Sequence, residues 1–125
     1  MFKSSEKQST RIDTLIGRSA RIQGDVEFSG GLHIDGQVTG SVRVAPGGTA
    51  SVSVSEHGLI EGSIEAPHVV LNGTVNGDIV ASERVVLGAK ARVRGNVSYG
   101  EIEMALGAEI TGRLIPGNAA AAQAV

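Results

Sequence analysis

The nine residues Leu71-Asn72-Gly73-Thr74-Val75-Asn76-Gly77-Asp78-Ile79 set aliphatic or small side chains in alternation with polar ones around Gly77. Val75 lies two positions before that glycine, Ile79 two after and the small Gly73 four before, while Thr74, Asn76 and Asp78 fill the places between. A period of two is the mark of an extended strand with one dry face and one wet face. The same unit recurs about Gly24, Gly40, Gly62, Gly95 and Gly112. Ile22, Val38, Ile60, Val93 and Ile110 precede those glycines, Val26, Val42, Ile64, Val97 and Leu114 follow them, and Ala20, Gly36, Gly58, Ala91 and Ala108 hold the small position. All twelve flanking positions are aliphatic, far more than composition supplies.

The six anchor glycines are 16, 22, 15, 18 and 17 residues apart, a mean of 17.6. A repeat of that length cannot bury its own aliphatic face. It must stack on its neighbours, each about 4.8 Å away by parallel pairing. The expected fold is therefore all-β: a single-stranded parallel β-helix, or solenoid, of about six coils forming a rod about 30 Å long. Antiparallel hairpins are the competing reading, since Asn72-Gly73 and Asn76-Gly77 are good two-residue turn signals. Hairpins, however, give no reason for a seven-residue unit to return every 17 or so residues. Pro46-Gly47-Gly48 and Pro67 mark the loops expected to vary between coils.

Composition agrees with this reading and removes several functions. Val, Ile and Leu dominate the apolar residues, and Phe2, Phe28 and Tyr99 are the aromatic ones, so a conventional two-layer core is disfavoured. The absence of Cys excludes a disulfide scaffold and thiolate metal sites. The stretch Met1 to Gln8 lacks the apolar middle of a signal peptide, no run is long enough to span a bilayer, and the expected location is cytoplasmic. Eleven basic residues against 13 acidic ones, with the basic ones scattered, leave no nucleic-acid footprint. Residues 1–14 show no alternation and read as a flexible arm, 15–115 as the rigid body, and 116–125 as an unpacked alanine-rich tail.

Signatures of catalysis are missing. There is no phosphate-binding glycine loop, no zinc-protease motif and no calcium-repeat aspartate after Gly30-Gly31 or Gly47-Gly48. His33 is read as outward-facing, with His57 and His68 beside turns; without a partnered acid or second ligand they are read as surface residues. Glu61 with Glu65, and Glu101 with Glu103, are read as same-side carboxylate pairs on a solvated face. The glycosylation sequons at Asn72 and Asn96 are accidental without a signal peptide, and Thr39, Thr49, Thr74 and Thr111 form no antifreeze row. No catalytic, cofactor or metal residue is assigned.

The ends of the rod are the remaining candidates. Terminal coils of a solenoid leave backbone groups unpaired, and natural solenoids cover them with a cap. None is visible here. Leu15, Ile16, Ile22, Val26 and Phe28 reach one end and Ile110, Leu114 and Ile115 the other, so the expected consequence is end-to-end self-assembly through Leu15, Ile16, Ile22, Phe28, Ile110, Leu114 and Ile115. In the arm, Met1 and Phe2 set one small apolar anchor beside Lys3 and Lys7, a pattern suited to an anionic lipid surface and also to an inert tail.

The runs Ile34-Asp-Gly-Gln-Val-Thr-Gly-Ser-Val42, Leu71-Asn-Gly-Thr-Val-Asn-Gly-Asp-Ile79 and Leu106-Gly-Ala-Glu-Ile-Thr-Gly-Arg-Leu114 resemble the bactofilins, bacterial polymer-forming cytoskeletal proteins. The resemblance covers residues 15–115. It implies a right-handed β-helix that polymerises without nucleotide into nonpolar filaments, needs no cofactor, and sits at the inner membrane through a short N-terminal peptide. It further implies partners among peptidoglycan hydrolases or other cell-wall proteins and a role in cell shape. The alanine-rich tail departs from the proline-rich tail of that family. Ile16-Gly-Arg-Ser-Ala-Arg and Leu87-Gly-Ala-Lys-Ala-Arg also fit the hexapeptide pattern of left-handed β-helix acyltransferases, whose coils hold to 18 residues, unlike the spacings of 15 to 22 here. A passive adaptor solenoid that binds partners along its flank differs from the first reading only in assembly state.

Overall fold

A computed structural model describes residues 14–44 and 50–116. Fifteen strands follow one another there with no helix between them: β1 (Thr14–Ile16), β2 (Arg21–Gln23), β3 (Val26–Phe28), β4 (Gly30–Ile34), β5 (Gln37–Thr39), β6 (Val42–Val44), β7 (Ala50–Val54), β8 (Leu59–Glu61), β9 (Ile64–Leu71), β10 (Thr74–Asn76), β11 (Ile79–Leu87), β12 (Arg92–Arg94), β13 (Val97–Met104), β14 (Glu109–Thr111) and β15 (Leu114–Pro116). Every pairing among them is parallel. The chain winds as a solenoid of about six coils. One face is the six-stranded sheet β2-β5-β8-β10-β12-β14, and the rest of each coil lies in the nine-stranded sheet.

Side chains on the inner face stack coil on coil. Ile22, Val38, Ile60, Val75, Val93 and Ile110 form one column by direct register. Val26, Val42, Ile64, Ile79, Val97 and Leu114 form a second. These are the twelve positions that the sequence repeat marks. Two more columns stack on the third side of the coil: Leu32, Val52, Val69, Val85 and Ile102, and Ile16, Ile34, Val54, Leu71, Leu87 and Met104. No polar or charged residue is buried among the described ones. Each fully buried aliphatic side chain contributes about 1.5–3 kcal/mol, so the interior is held by addition of like layers rather than by a central core.

Corners absorb the variation in coil length. After the third side, four-residue turns close at Gly17–Ala20, Ser55–Gly58, Gly88–Ala91 and Ala105–Ala108. Two residues suffice at Asp35-Gly36 and Asn72-Gly73. In β9 the bend inside the long strand takes one residue, Pro67, and in β13 one, Gly100, whereas β11 uses Ser82 and Glu83 at the same level. Pro67 therefore lies within a strand and not in a loop. A residue without an N–H fits there because the ladder is interrupted at the bend. His68 follows it in β9. Glu61 and Glu65 fall on different faces on either side of Gly62, since the chain turns there; Glu101 and Glu103 do share a side of β13. Pro46-Gly47-Gly48 lies outside the described residues, as do the arm up to residue 13 and the tail from residue 117.

The anchor glycines form the tightest corner. All six have positive φ, from 123° at Gly24 to 155° at Gly77 and Gly95. A Cβ on Gly40, Gly62, Gly77, Gly95 or Gly112 would fall on the carbonyl oxygen of the anchor glycine one coil below. After Gly24, Gly77 and Gly95 the next residue caps the coil above. Asp25 accepts from the Ser41 N–H at 3.0 Å, Asp78 from the Asn96 N–H at 2.9 Å and Asn96 from the Arg113 N–H at 3.1 Å. At Gly24, which has no described coil beneath it, a Cβ meets nothing within 4 Å. Gly24→Ala is thus expected to cost only backbone strain, about 1–3 kcal/mol, whereas Gly62→Ala adds a clash that only parting two coils relieves. Denaturant midpoints of the two variants would check this; equal midpoints would remove the close-approach argument.

Candidate functional site

The described residues offer no enclosed chemistry. His33 Nδ1 lies 3.2 Å from Ser53 Oγ on the outer surface, His57 Nδ1 lies 3.3 Å from an Arg18 nitrogen, and His68 Nε2 lies 3.3 Å from a Glu83 carboxylate oxygen. Each histidine has a different neighbour, and His68, expected to lack a partnered acid, has one in Glu83, on the two-residue bend of β11. No group of three or more His, Asp or Glu among the described residues could hold a metal ion, and no helix among them is long and apolar enough to cross a membrane.

The two ends differ from the flanks. Among the described residues no strand pairs onto the outer edges of β1, β2 and β3 at one end, or of β14 and β15 at the other. Such edges present rows of unpaired N–H and C=O groups, a template for another chain. The inner columns also lose their last neighbour there. Ile22 and Val26 at the first coil, and Ile102 and Ile110 at the last, are partly exposed, while Met104 and Leu114 are 46% and 44% exposed.

The seven residues expected at the ends fall into three groups. Ile16 and Phe28, on the edge strands β1 and β3, are nonetheless buried. Ile22, Ile110 and Leu114 terminate inner columns and are open to different degrees. Leu15, 61% exposed, and Ile115, 39% exposed, point outward from their strands in the rows that continue through His33 and Ser98. Met1, Phe2, Lys3 and Lys7 lie outside the described residues.

Sequence reading missed Ile102, Met104 and Leu106 at the second end. Leu106, at the tip of the turn Ala105–Ala108, is 97% exposed. A signal exists for Met104: it continues the column Ile34, Val54, Leu71, Leu87, whose offset from the anchor glycine switches between six and eight residues with the length of the corner. A search at fixed offset passes over it.

Charges lie on the outside of the coils. Arg84 pairs with Glu103, Arg92 with Glu109 at 3.6 Å and Arg43 with Asp25 at 3.7 Å, each joining successive coils across exposed positions. Pairs this exposed contribute less than about 1 kcal/mol each and set register more than stability.

The family model described as "Bactofilin: Polymer-forming cytoskeletal" matches residues 14–115. The curated protein "Bactofilin BacO" of Myxococcus xanthus (strain DK1622) is 34% identical over 110 residues, covering 87% of this chain and 84% of its own length. No solved structure matches. Replacing His33, His57 and His68 together by Asn is expected to leave the thermal midpoint within a few degrees and to change no zinc or coenzyme A response, read by thermal shift. A native-protein shift of several degrees with either ligand, abolished in the triple variant, would instead mark a site.

Proposed function

The chain belongs to the bactofilins, a family of polymer-forming cytoskeletal proteins, and from that membership we propose that it is a scaffold, not an enzyme, whose rods join end to end without nucleotide into nonpolar filaments at the inner face of the cytoplasmic membrane. The observation that carries the assembly step is the pair of open ends: apolar columns that stop at Ile22 and Val26 on one side and at Met104, Ile110 and Leu114 on the other, framed by strand edges with no partner among the described residues. Ile16 and Phe28 lie buried on the edge strands β1 and β3 of the first end, and Leu15 and Ile115 widen the two surfaces outward. Burial of these groups needs only a second copy, which is why no nucleotide enters the reading.

Membrane attachment rests on the arm. One inserted aromatic, Phe2, and about 1 kcal/mol for each of Lys3 and Lys7 near an anionic surface bind only marginally from a single chain. A filament presents one arm per subunit, and the contacts combine as avidity. The link to peptidoglycan hydrolases, other cell-wall proteins and cell shape is carried by the family resemblance.

Two outcomes test this function. Leu114→Arg places a charge on an apolar end and is expected to give folded, short species by electron microscopy without nucleotide, while Thr74→Arg on the flank leaves filaments unchanged; full-length filaments from Leu114→Arg would remove the end assignment. Filaments are expected to sediment with anionic liposomes, less so at high salt. Deletion of residues 2–8 should abolish sedimentation without blocking polymerisation, and equal binding by both forms would refute the arm's role.

A further inference from the structure

The terminal turn Ala105–Ala108 differs from the turns stacked below it. Its central pair is Leu106-Gly107, where the other four-residue corners carry Arg18-Ser19, Glu56-His57 and Ala89-Lys90. Gly107 has φ +100°, the conformation that a type II turn requires at its third residue, and no non-glycine residue among those described has a positive φ. This turn therefore holds its tip in a shape the others do not use. That tip is a leucine almost wholly in solvent.

The turn is also held from below by one side chain. Arg92 Nη1 donates to the Gly107 carbonyl at 2.8 Å, to the Ala91 carbonyl at 2.8 Å and to the Ala89 carbonyl at 3.5 Å. Its Nε lies 3.6 Å from the Glu109 carboxylate, on the strand that leaves the turn. The Nη1 nitrogen thus joins the corner Gly88–Ala91 to the corner above it. The exposed tip, Leu106, belongs to the same coil as Met104, Ile110 and Leu114, at the end where no further coil follows among the described residues.

Building on the end-to-end reading above, we propose that Leu106 is an anchor in the contact with a second copy of this chain and that Arg92 is the positioning residue that presents it. The second copy is the occupant because the family is polymer-forming and the leucine lies on the last described coil, which no further coil covers. A large aliphatic group set among Ala105, Gly107 and Ala108 projects clear of its own chain and gains burial only against another.

The test is a double-mutant cycle read as critical concentration for assembly, with circular dichroism and thermal midpoint as fold controls. Leu106→Ala is expected to raise the critical concentration roughly tenfold to a hundredfold with the midpoint unchanged. Arg92→Ala is expected to raise it in the same direction, with Arg92→Gln as the substitute if the alanine variant fails to fold. The double variant should be no worse than Leu106→Ala alone, because Arg92 acts through the leucine. Additive losses, or an Arg92→Gln variant that assembles normally, would overturn the positioning role. Normal assembly of Leu106→Ala while Leu114→Arg blocks it would overturn the anchor and leave the end-to-end reading standing; normal assembly of both would overturn the two together.

Discussion

Successive coils approach backbone to backbone at the corner where a carbonyl oxygen of one anchor glycine occupies the place where the next would carry a side chain. That contact sets how near successive coils lie, and the near spacing lets the ladders run unbroken from coil to coil. The ladders in turn set aliphatic residue on aliphatic residue, because each inner residue meets the residue of the same phase above it. Remove the glycines and the coils must part. The aliphatic columns would lose contact along their whole length, since dispersion falls away within an ångström of separation.

Much of this was legible from the sequence because the constraint is local and repeats. The unit around Gly77 names its own strand, its corner and the phase of its inner face, and the register found in the structure joins the same residues that the repeat aligns. The third side was not legible, because Asp35-Gly36 and Asn72-Gly73 turn in two residues where Ser55–Gly58 and Gly88–Ala91 take four, and a fixed offset cannot follow both. Glu61 and Glu65 were misjudged for a related reason: spacing alone suggests one strand, but a glycine with φ +151° lies between them. The ends were read from composition, which shows that apolar residues reach them but not which are covered. Phe28 on the edge strand β3 is buried, whereas Leu106 stands in solvent.

The interior and the exterior do separate work. No polar residue is buried in the columns among the described residues, so nothing in them distinguishes one coil from another beyond shape. Outside, position is specified by polar contacts between neighbours: Asp25 to the Ser41 amide, Ser55 to the Asp35 carboxylate, Asp78 to the Asn96 amide, Arg92 to the turn above. A parallel stack of similar layers is prone to slip in register. These exterior contacts, each reaching one coil further along the rod, oppose that slip without placing charge in the core.

The bend in β11 takes Ser82 and Glu83 where its neighbours take one residue, yet Ala81 still stacks on Ala66 below and Tyr99 above, and Val85 on Val69 and Ile102. An extra residue there is expelled sideways and leaves the layers on either side in place. The corner therefore behaves as a splice point. A short reporter peptide or affinity tag set between Ser82 and Glu83 would ride on the flank of the rod, away from both ends, and would decorate an assembled polymer at one position per subunit.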